Sequence, residues 1–381
     1  MPLPQYLTLA DVDVTGLKVL VRADLNVPLD GGEVADDFRI RAALPTLETL
    51  VRSGAAVTVC SHLGRPRGVD PALSLAPVAQ RMDSLTEYDV RLNSGGDINV
   101  LENTRFLDGE TSNHPSTAGE LADGFDLFVQ DAFGSVHRAH ASTVGVAELI
   151  RSVAGPLLDS ELSALGRLLD DTERPYTVVL GGAKVSDKLA VIENLLPRVD
   201  RMLIGGGMCF TFLRSLGFEV GASLVEEPML DKVAAIVEAD ADEHKIHLPG
   251  DFVAGERFAE DTAHDVVAVD ELPRGWIGLD IGPSTGKAFA GLVRDSASVF
   301  WNGPMGVFEW EQFRSGTEAV ARAIGECQGF TAVGGGDSVA AMRLLGLEGS
   351  VSHLSTGGGA GLELLEGKIL PGVAVLERWV R

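Results

Sequence analysis

The residues best able to do chemistry in this 381-residue chain are two lysines, a scattered set of arginines and histidines, and one aspartate among glycines. Lys184 and Lys188 lie in TVVLGGAKVSDK (177–188) and are two of only seven lysines. Thr177, Val178, Val179 and Leu180 have strand character, and Leu189, Ile192, Leu195 and Leu196 recur beyond them at helical spacing. A strand that ends in Gly181-Gly182 and turns into a helix leaves backbone N–H groups free where the helix dipole favours an anion. The pattern predicts a helix directly after the glycines, with both lysines, one turn apart, on the same face of its first turn. That arrangement suits phosphate. An ordinary strand-to-helix turn with solvated lysines is the alternative.

The first half offers a second basic set. Residues 17–21, 55–60, 98–101 and 127–130 read as strands, and residues 39–53 as a helix ending at Gly54. The strands run into loops that carry Arg22, Asp24 and Asn26, then SHLGRPRG (61–68), ENTRF (102–106) and DAFGSVHRAHAS (131–142). Ligands of open α/β sheets bind outside the carboxyl ends of the strands. Arg39, His62, Arg65, Arg105 and Arg138 are therefore expected at one sheet edge, as a pocket for a small anion. Singly, each arginine reads as a solvated charge; their recurrence after successive strands carries the functional reading. His137 and His140 suggest a metal pair by spacing, but no third ligand is evident and a structural role fits them better. His62 beside Cys60 has no metal pattern either.

Residues 157–170 form an amphipathic helix with Leu158, Leu162, Leu165 and Leu169 on one stripe, and the domain boundary is placed there. Beyond it strands run repeatedly into glycine loops: 202–204 into 205–207, 298–301 into NGPMG, 330–333 into GGGDS and 351–354 into STGGGAG. Helices are expected at 229–239, 312–325, 338–345 and 360–366. This alternation is the βαβ signature of a parallel, doubly wound sheet. Glycine loops at one sheet edge suit a nucleotide. In GGGDS, Asp337 sits among N–H groups suited to phosphate, where a carboxylate belongs if it holds Mg²⁺; a helix cap is its other reading. GPSTGK (282–287) has three residues rather than four between its glycines and Ala288 after the lysine, so it is not a P-loop. No clean G-x-G-x-x-G follows a first strand, which argues against an NAD-dependent dehydrogenase.

Taken in order along essentially the whole chain, RADLNVPL (22–29), FRIRAALPTL (38–47), SHLGRP (61–66), LENTRF (101–106), DAFGSVHRAHAS (131–142), GGAKVSDK (181–188), GGGMCFTFL (205–213), LDIGPST (279–285), WNGPMGVFE (301–309), GGGDS (334–338) and STGGGAGLELLEGK (355–368) resemble the phosphoglycerate kinase family. The resemblance implies two Rossmann-like α/β domains joined by a hinge helix. The expected limits are 1–156 for the 3-phosphoglycerate domain, 157–171 for the helix, 172–371 for the nucleotide domain and 372–381 for a segment returning to the first. It implies phosphoryl transfer between ATP and the carboxylate of 3-phosphoglycerate, giving 1,3-bisphosphoglycerate and ADP.

By the same resemblance, Asp24, Leu25, Asn26, Arg39, His62, Leu63, Gly64, Arg65, Arg105 and Arg138 bind 3-phosphoglycerate. Gly182, Ala183, Lys188, Asn302, Pro304, Glu309, Gly335, Gly336, Asp337 and Ser338 bind ATP or ADP, with Asp337 on Mg²⁺. Arg39, Lys184 and Gly336 are the catalytic set that neutralises the phosphoryl group in flight. A monomer is the family expectation, and the three widely spaced cysteines point to free thiols in a reducing cytoplasm. Ala23 and Leu25 replace the family's Val and Phe, Ser338 stands where Thr is common, and 79–100 is shorter than the family's. A non-catalytic nucleotide or anion sensor is the remaining rival; it predicts glycine loops without a second basic pocket.

Composition sets the bounds. The length suits two domains with their own cores. No apolar run reaches the length of a membrane span, the first residues lack the pattern of a signal peptide, and Cys60, Cys209 and Cys327 have no metal-ligand spacing. A formal net charge of −24, with seven Lys against twenty-four Arg, disfavours nucleic acid and anionic membranes as partners. Such an acidic surface is expected in a cell with a salt-rich interior, where at molar salt the Debye length shrinks to about 3 Å; an acidic mesophilic protein is the alternative. The melting temperature is accordingly predicted to rise between low and molar KCl, and equal stability at both would contradict the salt reading.

Overall fold

Val19, Leu20 and Val21 are completely buried because their strand, Lys18–Arg22, lies inside a parallel sheet covered on both faces. The computed structural model describes residues 4–170 and 172–380. In space the six strands of this sheet run Val90–Leu92, Ile98–Val100, Ala56–Cys60, Lys18–Arg22, Leu127–Gln130 and Ser152–Ala154, every pair parallel. A second six-stranded parallel sheet runs Ile246–His247, Arg201–Ile204, Tyr176–Leu180, Ser298–Asn302, Phe330–Gly334 and His353–Leu354. Tyr176–Leu180 and Ser298–Asn302 are buried at every residue, which explains their unbroken apolar runs.

Each sheet has a point where the strand order reverses. In the first, the chain leaves Lys18–Arg22 toward Ala56–Cys60 and later returns to its other side with Leu127–Gln130. In the second, Tyr176–Leu180 is flanked by Arg201–Ile204 and Ser298–Asn302 in the same way. A switch point of this kind leaves a crevice at the carboxyl ends of the two diverging strands.

The chain divides into two units: Met1–Ser163 with Gly359–Leu364 and Lys368–Arg381, and Ala164–Gly358 with Leu365–Gly367. Expected domain limits at residues 1, 171 and 381 lie outside the described residues. One division falls within the helix Pro156–Asp170, between Ser163 and Ala164. Leu158, Leu162 and Leu165 of that helix are buried as expected, but Leu168 completes the stripe and Leu169 is only half-buried.

Two differences from the sequence reading matter. Apolar spacing after Lys188 does mark a helix, Leu189–Leu195, but it begins only there, with Lys188 as the residue before it. Residues 181–188 form an irregular loop closed by a turn in which Lys188 N donates to Val185 O at 3.0 Å. Lys184 and Lys188 therefore do not share a helical face: Lys184 is exposed and Lys188 buried. The second difference is an unforeseen antiparallel sheet, His264–Ala268, Asp251–Gly255 and Ile277–Ile281. Its outer strand HDVVA is mostly exposed and acidic at its start, so it lacks the apolar run that marks the buried strands.

The boundary helix is anchored by one carboxylate. Asp131, just past Leu127–Gln130, accepts from Leu157 N at 2.9 Å and Leu158 N at 3.1 Å through Oδ1. A Cβ at Gly155 would lie 2.2 Å from that oxygen, so glycine is required for this close approach. Burial pushes the Asp131 carboxyl up to about 6, against the pull of these donors. Asp131→Ala is predicted to cost about 1–3 kcal/mol in urea unfolding, and Asp131→Asn, which keeps an acceptor oxygen, clearly less. Equal losses would contradict the capping role.

Candidate active site

In the first unit, four strand ends and one helix start converge. Asp24 is nearly buried, with its carboxylate 3.3 Å from Arg39 Nη1, and the same nitrogen donates to Asn26 O at 2.9 Å. Asn26 Oδ1 accepts from Gly64 N at 2.9 Å, and Leu25 N donates to Ser61 Oγ at 2.9 Å. These bonds tie the loop after Lys18–Arg22 to the loop after Ala56–Cys60. Leu63 exchanges two hydrogen bonds with the Asn103 side chain, whose Oδ1 also takes Arg105 N at 3.0 Å. Arg105 Nη1 donates to Gly64 O. Gly64 has φ +61°, and a Cβ there would meet Leu73 at 2.8 Å, so a side chain would displace the turn on which Arg105 rests.

Electrostatics show that the cations face one another. Arg105 is held below the usual arginine range by burial first, then by Arg138 and Arg22, opposed by Glu110, with Arg65 adding to the repulsion. Burial pushes His62 well below its ordinary value, helped by Arg22, Arg105, His140 and Arg39. His140 is pushed down to about 4 by burial and by Arg105, Arg22 and Arg138, against the attraction of Glu110. Arg65 and Arg138 are exposed, and Arg138 Nε donates to His137 Nε2 at 2.9 Å. Arg105 Nε is buried without a hydrogen-bond partner. All five expected basic residues are thus gathered. Arg22, Glu110, His140 and Ser142 belong to the same cluster; from sequence Arg22 reads only as a loop residue and His140 as structural, and Glu110 and Ser142 are missed, because partners 32 or 120 positions apart leave no local pattern.

In the second unit, Lys188 Nζ donates to Asn302 Oδ1, and Asn302 Nδ2 donates to Gly334 O at 2.8 Å. Burial lowers the Lys188 ammonium from its ordinary value, against the attraction of Asp187 and Asp337. Gly303 N donates to Ser338 Oγ at 2.6 Å, and Gly182 N to Pro304 O at 2.9 Å. Gly335 has φ +90° and opens the helix Gly336–Leu344, where Gly336 is exposed with open space around it. A cavity of about 280 Å³ opens beside these loops. Gly182, Ala183, Pro304, Glu309 and Asp337 line its polar side, and Phe210, Phe252, Phe258, Leu279 and Val307 are among its apolar walls. Asp280 also lines it; buried and capping the helix Ser315–Glu326 through Gly316 N at 2.7 Å, its carboxyl is pushed up to about 8 by burial. Lys184 stands exposed and acts on Glu226, which takes Ser186 N at 2.9 Å and Ser186 Oγ at 2.6 Å.

Elsewhere the chain closes its own helix starts. The helix Pro283–Arg294, within the rejected P-loop look-alike, has the Asp251 carboxylate on Ser284 N at 3.0 Å and Thr285 N at 2.8 Å. An anion already fills that place. Among the described residues no group of three or more His, Cys, Asp or Glu could hold a metal by itself.

Parallel sheets with cations at one switch point and a glycine-walled cavity with a lysine at the other suit a phosphotransferase. The phosphoglycerate kinase family profile matches residues 9–368. A phosphoglycerate kinase of Rubrobacter xylanophilus is 52% identical over 96% of this chain and 97% of its own length. One from Salinispora tropica is 53% identical, again over 96% and 97%. Among solved structures, phosphoglycerate kinase from Coxiella burnetii superposes with a TM-score of 0.91 at 38% identity, covering 99% of this chain and 100% of that one. The Pyrococcus horikoshii enzyme does so at 0.85 and 30%, covering 98% and 99%. The chain belongs to the phosphoglycerate kinase family, phosphotransferases with a carboxyl group as acceptor.

Gly335 tests the second cluster. A Cβ there would lie 2.6 Å from Asn302 Nδ2 in a backbone region that side chains avoid. Gly335→Ala is predicted to cost about 1–3 kcal/mol in thermal or urea unfolding by displacing Asn302 from Lys188. An unchanged melting temperature would contradict the described packing.

Proposed function

We propose that the arginine cluster of the first unit binds 3-phosphoglycerate and that the cavity and glycine loops of the second bind MgATP or MgADP. The observation that carries the first assignment is Arg105: its Nε is buried with no partner, and burial and neighbouring cations both press against its charge. An anionic ligand relieves both. Arg39, His62, Arg65, Arg105 and Arg138 supply the donors, while Asp24 and Asn26 accept from the glycerate hydroxyl and fix Arg39. Leu25, Leu63 and Gly64 shape the loops that carry them.

For the nucleotide, Lys188 with Asn302, Gly182, Ala183, Gly335, Gly336 and Ser338 meets the phosphates, and Pro304 and Glu309 the nucleoside. Asp337 is exposed in the first turn of Gly336–Leu344, a single carboxylate of the kind that suits Mg²⁺ carried by a nucleotide's own phosphates. When bound, Mg²⁺ supplies positive charge to the phosphate oxygens.

The attacking group is the substrate's carboxylate, ionised at neutral pH, so the chain needs no general base. Its task is to place the two groups in line and neutralise the charge that spreads over the transferring phosphoryl. Arg39, Lys184 and the Gly336 N–H do this, with Pro156–Asp170 as the hinge that brings the substrates together and excludes water from the acyl phosphate. The protein works as a cytoplasmic monomer, with its acidic surface suited to salt.

In a coupled assay with 3-phosphoglycerate, Arg39→Ala is expected to lower kcat by more than about a hundredfold. The KM for MgATP is expected to stay within about threefold. Equal small effects on both would contradict the role given to Arg39.

A further inference from the structure

We propose that Arg22 is a positioning residue of the anion cluster. From its buried pocket it holds His62 as the neutral tautomer with its proton on Nε2, so the imidazole offers the substrate one hydrogen-bond donor and no charge. The inference deepens the substrate assignment above and rests on it.

A guanidinium has donors only and stays protonated in proteins. Arg22 is completely buried at the carboxyl end of Lys18–Arg22, and its Nη2 lies 3.0 Å from His62 Nδ1. That contact is favourable only when Nδ1 presents its lone pair; a protonated Nδ1 would set donor against donor. A neutral ring with a bare Nδ1 carries its proton on Nε2. Among the described residues no hydrogen bond uses His62 Nε2, which leaves that N–H for a ligand.

Arg22 is itself fixed from three sides. Its Nε donates to Ser142 Oγ at 2.9 Å, while its Nη1 donates to Ala23 O and reaches Ser61 Oγ at 3.4 Å. Ser142 Oγ in turn donates to Glu110 Oε1 at 2.5 Å. Glu110, almost wholly buried, also takes Ser142 N at 3.0 Å and Thr104 Oγ1 at 3.2 Å. The carboxylate therefore balances Arg22 across one hydroxyl, and the pair can stay buried without an outside ion. The other charged or titratable groups that act on His62 are Arg105, His140 and Arg39. With Arg22 they oppose a second proton on the ring, in the same sense as the donor geometry. The substrate's negative charge is then met by the arginines, and His62 serves direction rather than charge.

The test uses the full chain labelled with ¹⁵N-histidine, the His62 signals being assigned by their loss in His62→Gln. Nδ1 is expected at the shift of an unprotonated ring nitrogen and Nε2 at that of a protonated one, both unchanged from about pH 8 to about pH 5. A protonated Nδ1, or signals averaged between tautomers, would overturn the proposal. The paired variant Arg22→Met/Glu110→Gln leaves no buried charge alone; it is expected to release His62 into tautomer exchange, and wild-type His62 signals in it would overturn the role of Arg22.

Kinetics give an independent arm. His62→Gln, whose amide N–H replaces Nε2–H, is expected to keep the KM for 3-phosphoglycerate within about threefold, and His62→Ala to raise it roughly tenfold. Wild type and His62→Gln should show parallel KM profiles with pH, since the substrate's own ionisation is common to both. Tighter wild-type binding toward acid, relative to His62→Gln, would mean that His62 binds as a cation and would overturn the proposal. Failure of the underlying substrate assignment looks different: Arg105→Ala would leave the KM for 3-phosphoglycerate unchanged, whatever the His62 spectrum shows.

Discussion

The constraint on which the first unit turns is that not all of its cations are balanced from within. Arg22 has Glu110 one hydroxyl away, and Arg39 has Asp24 at 3.3 Å. Arg105 rests on the carbonyl of Gly64, keeps a buried Nε without a partner, and feels Arg138, Arg22 and Arg65 as repulsion. Bringing guanidinium groups together in a half-dry pocket opposes folding unless something else supports the loops. Here the support is uncharged: the Asn26–Gly64, Leu25–Ser61 and Leu63–Asn103 bonds hold the strand ends in place. A charge-assisted hydrogen bond is worth about 1.5–3 kcal/mol, so an anion that meets several of these donors gains affinity from repulsion already built in.

The second unit handles charge by other means. Its donors are mostly backbone N–H groups, exposed where glycine permits what a side chain would block, as at Gly335. Carboxylates are kept out of the way by giving them helix ends. Asp251 and Asp280 cap the helices that begin at Pro283 and Ser315. The helix Gly336–Leu344 has no side-chain cap and has open space at Gly336. The acidic side chain in its first turn is Asp337, which stands exposed beside the cavity.

The parallel sheets were legible because their strands are buried on both faces and read as continuous apolar runs. The strand at 127–130 is found at Leu127–Gln130, and the helix at 229–239 at Leu230–Ala239. The arginines were legible because each follows such a strand or opens a helix. What was hidden is what depends on partners distant in sequence. Glu110 is 32 residues from Ser142, and Ser142 is 120 from Arg22, so nothing local marks the three as one unit. The loop 181–188 was hidden for another reason. Helical spacing locates Leu189–Leu195 but not its start, because the residue before the helix is Lys188, while the favoured cap residues Ser186 and Asp187 lie inside the preceding turn. That loop decides that Lys188 is buried against Asn302 while Lys184 stands exposed.

The central claim is that the chain has two separate anion sites, one built of guanidinium groups and one of glycine backbone with a lysine. Isothermal titration of 3-phosphoglycerate into protein already saturated with MgADP, repeated in the reverse order, tests this most directly. The account predicts one equivalent of each ligand in either order, with neither displacing the other. Mutual displacement would mean a single shared phosphate site and would contradict it.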